Sequence, residues 1–431
     1  MPSNEPSRQG RPPRLQSAPP PLISTGESFE AQKLLDENPA AQAVLLWQSL
    51  RDVFLWASAS EHQRGQLFSD GAANRRLNEL KAANLDDPLC SPLLVLAGML
   101  RNDTSVAEDD LAAACRQISQ WADQSGRTET AIISARAAAA LLPHDAEAAY
   151  AVGLLYRRQA DYNRAEAWVR RAIGLARRKD LQTYAWAFVA LGNVYMQRGQ
   201  YSAAYVCYMR AVRAARRRRM RRVRAVALHD LIGVAFELKR TAEAESYIQK
   251  AARAYSASDP RLPALAHDVA RYWMLQGSFG RALVVFQAVL PLIERPAEQL
   301  IVLSGVARSA AGAGRRDVFL QAWTDAWRMI DRDVSTEWAC SAILNLAYAS
   351  ALLDDWERVG VAAQYAYEQA RGRGERTVQV EAEALLRAAE QRTFAPTPAY
   401  PEAEAAVAET ADLVAAGLVR KLAAHARAKR D

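Results

Sequence analysis

The chain has 431 residues, of which 50% are hydrophobic and 24% charged, and its 55 Lys and Arg outnumber its 48 Asp and Glu. This composition excludes a chain that is disordered throughout, and its four isolated cysteines exclude a disulfide framework and a cysteine-based zinc site. No uncharged run reaches the ~18 residues of a membrane span and no apolar leader is present, so we expect a cytoplasmic protein.

The first 28 residues are predicted to be a disordered tail, because seven of the 18 prolines precede residue 22 with almost nothing apolar between them. Residues 29–111 are predicted to be helical, with helices over 41–57, 62–68 and 72–83. A further segment, 89–100, is apolar nearly all round and should be buried. The simplest interpretation of this region is a cap on the helices that follow. The alternative is a helix-turn-helix around Gly71, with Arg75, Arg76 and Lys81 on a helix that contacts DNA.

From residue 112 the sequence repeats. A small residue recurs at intervals of 34 to 41 residues, and a second compact residue follows it 19 residues later, or 18 in the fourth unit. Two antiparallel helices approach closely only where side chains are small, so both positions mark helix crossings. The first position is occupied by Ser119, Gly153, Gly192, Gly233, Ala270, Ala307 and Ala347. The second is occupied by Ala138, Ala172, Ala211, Ala251, Val289, Ala326 and Ala366.

Aromatic residues complete the pattern. Tyr156 and Tyr195 stand three residues after the small position, and Tyr162 and Tyr201 open the second half of their units. This pattern resembles the tetratricopeptide repeat family, closely in the second and third units and more loosely in the last two. The resemblance implies an all-α, right-handed superhelical solenoid of about seven antiparallel helix pairs over residues 112–393. It also implies a non-catalytic scaffold that binds a peptide or helix of a protein partner in a concave groove, which the first helix of each pair lines.

In the family's register, eight side chains of this sequence point into that groove. They are Arg157, Arg158, Trp186, Asn193, Gln197, Glu237, Arg271 and Arg308. Arginines can hold carboxylates with two hydrogen bonds, and an amide can both donate to and accept from a peptide backbone. The family's clamp for C-terminal carboxylates needs Lys and Asn at fixed positions in consecutive units. Only Asn193 fits that requirement, so an adaptor for chaperone tails is not expected.

The basic charge is local. Seven arginines account for the whole excess: Arg216, Arg217, Arg218, Arg219, Arg221, Arg222 and Arg224. They fall where the third unit runs into the fourth. Three interpretations remain open, namely a solvated helix end, a docking patch for an acidic partner protein, and a nucleic-acid contact. The absence of interleaved aromatic residues makes nucleic acid the least favoured of the three.

Motifs for catalysis are missing from the sequence. The five histidines are scattered, and no P-loop, H-E-x-x-H, G-x-S-x-G or dinucleotide fingerprint occurs. We therefore predict no catalytic residues, no metal site and no cofactor. The main alternative to an adaptor is a transcriptional or signalling regulator whose N-terminal region contacts DNA.

The C-terminal part consists of a Pro-rich linker over 394–401 and a helix over 402–431. The helix carries an apolar stripe at helical spacing, formed by Val407, Val414, Leu418 and Leu422. Because the linker is short, we expect this helix to fold back on the seventh pair as a cap. The alternative is an autoinhibitory or dimerising helix that occupies a groove.

Overall fold

The computed structural model describes residues 31–69, 71–83, 85–101, 107–177, 179–217, 219–330, 339–394 and 405–429. These residues form helices joined by turns, with no strand among them, which confirms the predicted all-α class. The chain divides into two compact units after Ala227. The predicted disordered tail and most of the predicted linker lie outside the described residues.

The first unit contains eleven helices within its described residues and the start of a twelfth. They are α1 (Ala31–Glu37), α2 (Ala40–Ser58), α3 (Glu61–Arg64), α4 (Ala72–Ala82), α5 (Asp87–Gly98), α6 (Glu108–Gln124), α7 (Thr128–Leu141), α8 (Ala146–Arg158), α9 (Tyr162–Ala176), α10 (Leu181–Gln197), α11 (Tyr201–Arg217) and α12 (Arg221–Glu237). A single 3₁₀ turn, Met99–Arg101, follows α5. Helices α1 and α2 pack against α7, and α5 packs against α6.

The second unit holds the end of α12 and nine further helices among its described residues. They are α13 (Thr241–Ala254), α14 (Leu262–Leu275), α15 (Phe279–Val289), α16 (Pro296–Gly312), α17 (Arg316–Ile330), α18 (Ala339–Ala351), α19 (Trp356–Arg373), α20 (Arg376–Gln391) and α21 (Ala405–Ala428). A 3₁₀ turn, Leu290–Leu292, follows α15.

Helices α6 to α19 make seven successive pairs, which match the predicted units. The small residues lie where helices of one pair meet. A Cβ added to Gly153 would come within 2.6 Å of Val169, and one added to Gly192 would overlap the ring of Tyr208. Ala211 is fully buried beside this contact. The close approach therefore requires small side chains, as predicted from the spacing.

A residue with a left-handed backbone ends the first helix of every pair. Glycine takes this position in four pairs, for example Gly199 with φ of 70°. Ala160, Lys239 and Asp354 take it in the other three, with φ of 61°, 58° and 55°. L-residues rarely adopt this conformation, so these three turns carry backbone strain.

Two details differ from the sequence-based expectations. The helix predicted over 62–68 ends at Arg64. The segment expected to be buried all round is only partly so, because Leu94 and Val95 of α5 are 44% and 39% exposed. Helix α5 packs against α2, α4 and α6, and the side that carries Leu94 and Val95 is left to solvent. No helix in the described part of the chain is long and apolar enough to cross a membrane.

The predicted packing position of the C-terminal helix, against the seventh pair, is wrong. Helix α20, not α21, packs against both helices of the seventh pair and buries Ala382 and Leu385. Because α20 covers the apolar face of the seventh pair, that face is not open to α21. Helix α21 packs instead against α13, α14 and α15. Leu418 and Leu422 of its predicted stripe are fully buried there.

Candidate functional site

Within each unit, the first helices of successive pairs lie side by side, and we name the surface that they form in that unit its first-helix face. In the first unit it carries five of the predicted groove residues. Arg158 donates to both carboxylate oxygens of Asp123 on α6, at 2.6 and 2.7 Å. Asn193 accepts a hydrogen bond from Tyr208 within its own pair, at 2.5 Å. Arg157 and Trp186 are half-buried, and Gln197 is exposed. These contacts do not join the five side chains into one site.

A polar network that the sequence analysis missed links the second and third pairs. The hydroxyl of Tyr195 donates to Glu166 at 2.9 Å, and Arg198 donates to the same carboxylate at 2.6 Å. Arg170 donates to the Tyr195 oxygen at 2.7 Å. Burial, together with the neighbouring Glu166, raises the pKa of Tyr195. Each of these polar groups has a hydrogen-bond partner within the network, so we interpret the network as a structural link between the two pairs.

The arginine-rich turn between α11 and α12 is described except for Arg218. The other six side chains are all exposed, and none of these six makes an ion pair within the described part of the chain. Arg216 and Arg217 suit the C-terminal end of α11, whose dipole favours cations. Arg221, Arg222 and Arg224 sit in the first turn or so of α12, where cations are disfavoured. The turn is therefore a concentrated positive surface without internal neutralisation.

The first-helix face of the second unit begins with a carboxylate between two imidazoles. His229 Nε2 on α12 donates to Asp268 Oδ2 at 2.9 Å, and His267 Nδ1 donates to Asp268 Oδ1 at 3.0 Å. Burial alone would lower the pKa of His229, but the hydrogen bond and charge of Asp268 raise it. Burial alone would raise the pKa of Asp268, but the hydrogen bonds from both imidazoles hold it well below its usual value.

Further along this face, Arg308 on α16 joins two helices. Its Nη1 donates to Asn345 Oδ1 at 2.8 Å, and its guanidinium lies 4.3 Å from the ring centroid of Tyr348. The Tyr348 hydroxyl donates to Glu381 on α20 at 3.2 Å. Burial lowers the pKa of Arg308, and burial with the nearby Glu381 raises that of Tyr348 to about 12. One row of polar and aromatic contacts thus runs across α16, α18 and α20.

A pocket of about 250 Å³ opens beside this row. It is formed at the ends of the first helices of four successive pairs, with one residue from the segment after α20. The lining residues are Phe236, Lys239, Met274, Leu275, Gln276, Gly277, Phe279, Arg308, Tyr348, Leu352 and Phe394. Its walls are mainly aromatic and apolar, and its two cations are Lys239 and Arg308. A surface of this kind suits an apolar side chain with an adjacent negative or carbonyl group.

The pocket includes one predicted groove residue and lies near another. Arg308 lines it, and the charge of Arg271 acts on Arg308 from α14. Glu237 is exposed and does not line it. Tyr348 was missed, although it stands one residue after Ala347, as Arg308 does after Ala307. Phe394 could not have been placed from the repeat, because it lies beyond the last unit.

A second cavity of about 430 Å³ lies where α21 ends beside α14 and α16. Its polar groups already have partners in the fold. Lys429 pairs with Glu294 at 3.1 Å, and Arg295 pairs with Glu298 at 3.2 Å. His425 donates from Nδ1 to the carbonyl of Ala257 at 2.8 Å. We therefore assign the site to the first-helix face and not to this cavity.

The described residues contain no side-chain arrangement that would support metal binding or thiol chemistry. No group of three His, Cys, Asp or Glu side chains in those ranges could hold a metal ion. Burial raises the pKa of Cys115 and Cys207 to about 12, so both thiols remain protonated at neutral pH. Cys340 is also buried, and Cys90 is exposed.

The fold is that of a protein built from repeated helix pairs. The family model for the tetratricopeptide repeat matches residues 146–179 and 187–218, which are the second and third pairs. These two pairs are similar to the tetratricopeptide repeat, as the sequence pattern predicted.

Solved structures with a similar arrangement of helices include three proteins of 20% identity or less. PilF of Pseudomonas aeruginosa is 20% identical, over 52% of this chain and 93% of that one, with a TM-score of 0.42. The TPR2AB domain of yeast Sti1 in complex with pHSP90 is 16% identical, over 66% and 100%, with a TM-score of 0.28. The Rap conjugation gene regulator of plasmid pLS20, in complex with the Phr* peptide, is 11% identical, over 80% and 94%, with a TM-score of 0.37.

No curated protein matches the sequence. Since all three TM-scores lie below 0.5, the similarity to the tetratricopeptide repeat is shown by the two matched repeats. The tetratricopeptide repeat is in general a protein-interaction fold without catalytic function.

Proposed function

We propose that this protein is a cytoplasmic, non-catalytic adaptor that binds a peptide or helix of a partner protein on the first-helix face of its second unit. The observation that carries the proposal is the pocket beside Arg308. The first helices of successive pairs build it together, so it exists only in the stacked array. A site assembled in this way positions a ligand against several helices at once.

The chemistry of the pocket fits a peptide. Phe236, Phe279 and Met274 offer a wall for an apolar side chain. Arg308 and Lys239 lie at the same pocket and can hold a carboxylate or a backbone carbonyl.

The test is a pull-down with mass spectrometry that compares the intact chain with variants. Arg308→Gln and Tyr348→Ala should lose the partners that the intact chain retains. The matched control is Arg315→Gln, which changes an exposed arginine in the turn after the same helix. If both pocket variants retain every partner at the level of the control, the partner does not bind at the first-helix face.

The arginine-rich turn supports a second contact, with an acidic segment of a protein partner. Its six described side chains are exposed and lack internal carboxylate partners, so they are available to an anionic surface. Replacing Arg219, Arg221 and Arg222 with Gln should reduce the association rate and its dependence on salt. An unchanged rate at low salt would contradict this second contact.

One observation weighs against the alternative of a DNA-contacting N-terminal region. Arg76, one of the three cations assigned to the recognition helix, is buried in the first unit. It donates to Asp52 and to Ser49, both at 3.1 Å. It is therefore used to hold α4 against α2 and is not presented to a phosphate. An electrophoretic shift assay at physiological salt tests the alternative. Tight, sequence-dependent binding of DNA would support it.

A further inference from the structure

The chain itself places an aromatic side chain in the pocket. Helix α20 ends at Gln391, and Arg392 adopts a left-handed conformation with φ of 49°. The amide of Thr393 donates back to the carbonyl of Ala388, which closes the helix end. The next residue, Phe394, then lines the pocket, with its ring centroid 6.1 Å from that of Tyr348. The backbone reversal thus directs one aromatic ring onto the first-helix face.

Two polar atoms at the pocket lack a hydrogen-bond partner among the described residues. They are Nε of Arg308, a donor, and Oε1 of Gln276, an acceptor. Buried polar groups are normally satisfied, so an unsatisfied donor and acceptor at one site need an explanation. A peptide backbone offers both complements, because its carbonyl accepts and its N–H donates.

We propose that the pocket recognises an aromatic side chain of the partner peptide, and that Phe394 occupies this position when the partner is absent. This inference rests on the proposed function and specifies its ligand. The ring of the partner residue would lie against Tyr348 and Phe236, and its backbone would meet Arg308 and Gln276. Partner binding requires Phe394 to leave, so the segment after α20 lowers the apparent affinity of the site.

The contacts that hold α21 in place do not involve Phe394. Lys421 Nζ donates to the carbonyls of Ala252 and Tyr255, both at 2.6 Å, at the end of α13. At the other end of α21, Arg281 donates to Asp412 at 2.7 Å. Phe394 can therefore leave the pocket while α21 keeps its contacts.

The probe for the test is a fluorescein-labelled peptide with the sequence of residues 390–397, which contains the equivalent of Phe394. Fluorescence anisotropy measures its affinity for the full chain and for the Phe394→Ala variant. Because the vacated pocket no longer has an internal competitor, the variant should bind at least about tenfold tighter than the intact chain. A peptide with Ala in place of its Phe should not bind either protein, and Tyr348→Ala added to Phe394→Ala should abolish binding of the original peptide.

Equal affinity of the intact chain and the variant would overturn the proposal, and so would binding that is independent of the Phe in the peptide. Phe394→Leu provides a graded control that preserves apolar packing, and its affinity should lie between the other two. Circular dichroism verifies that each variant is folded. If this test fails while Arg308→Gln still loses partners in the pull-down, the proposed function stands with a different anchor residue.

Discussion

Gly192 on α10 and Tyr208 on α11 are in direct contact, because the missing side chain of the glycine leaves room for the tyrosine ring. A methyl group at 192 would overlap three ring atoms of Tyr208. The ring cannot move away freely, since Tyr208 is 1% exposed and its hydroxyl donates to Asn193. The third pair is thus held at a distance that only glycine permits.

Gly192→Ala should therefore destabilise the protein by about 1–3 kcal/mol through overpacking. Gly280→Ala is the matched control, because Gly280 lies in α15 with no atom near its added Cβ. That control should be neutral or stabilising by up to about 1 kcal/mol, since Ala favours helix more than Gly does. Urea unfolding measures both. Equal effects of the two substitutions would contradict the assigned crossing.

At the left-handed turns, we expect a change to glycine to raise stability. Ala160→Gly should stabilise the second pair by about 1 kcal/mol, because glycine adopts its φ of 61° without strain. Gly199→Ala, at the same place in the third pair, should destabilise by a similar amount. Thermal unfolding of the two variants, measured side by side, should show shifts in opposite directions. A lower melting temperature for Ala160→Gly would show that the turn is not strained.

The His229–Asp268 pair should make stability depend on pH. The pKa of His229 is raised on folding, so its contribution is present below its ordinary value of 6.5 and is lost as pH rises through the raised value. The pKa of Asp268 is lowered, so its contribution is present above 3.8 and is lost as pH falls. His267, Asp230, Arg261 and Tyr255 face the same pair, and the pair is most stabilising in weak acid.

His229→Gln should therefore cost more stability at about pH 5.5 than at about pH 9, since only the acidic condition charges both partners. Guanidinium unfolding at the two pH values measures the difference. His62→Gln, at an exposed histidine of the first unit, serves as the control and should show no such difference. A cost for His229→Gln that is the same at both pH values would show that the ion pair does not contribute.

Helix α21 should stabilise the second unit through one face only. Leu418→Ala should cost about 2–4 kcal/mol, because Leu418 is 1% exposed against α13, α14 and α15. Leu413→Ala changes the same residue type on the same helix, but Leu413 is 67% exposed, so its effect should stay within about 0.5 kcal/mol. Denaturant unfolding distinguishes the two. Similar values for both would mean that α21 does not occupy this groove in solution.

The helix pairs could be predicted from sequence because each pair is a local unit. Small residues such as Gly153 and Gly192 recur at intervals that fix which helices cross, and the residues that these two contact, Val169 and Tyr208, lie only 16 residues further along. The same register pointed to Arg271 and Arg308, since both follow the small position directly. Local spacing was sufficient wherever the contacts themselves are local.

The remaining features depend on contacts between distant segments. The stripe with Leu418 and Leu422 showed that α21 buries one face, but an apolar stripe does not specify which groove receives it. That choice depends on partners such as the carbonyls of Ala252 and Tyr255, which lie about 170 residues earlier in the chain. Phe394 illustrates the same point, because the residues that it meets in the pocket, such as Phe236 and Tyr348, lie far earlier in the chain.

In the proposed function, the partner binds at the pocket on the first-helix face of the second unit. The most direct measurement is photo-crosslinking in cells, with benzoylphenylalanine placed at position 352 in the pocket or at position 284 on the exposed side of α15. The partner should crosslink from position 352 and not from position 284. Crosslinking from position 284 alone, with none from position 352, would contradict it.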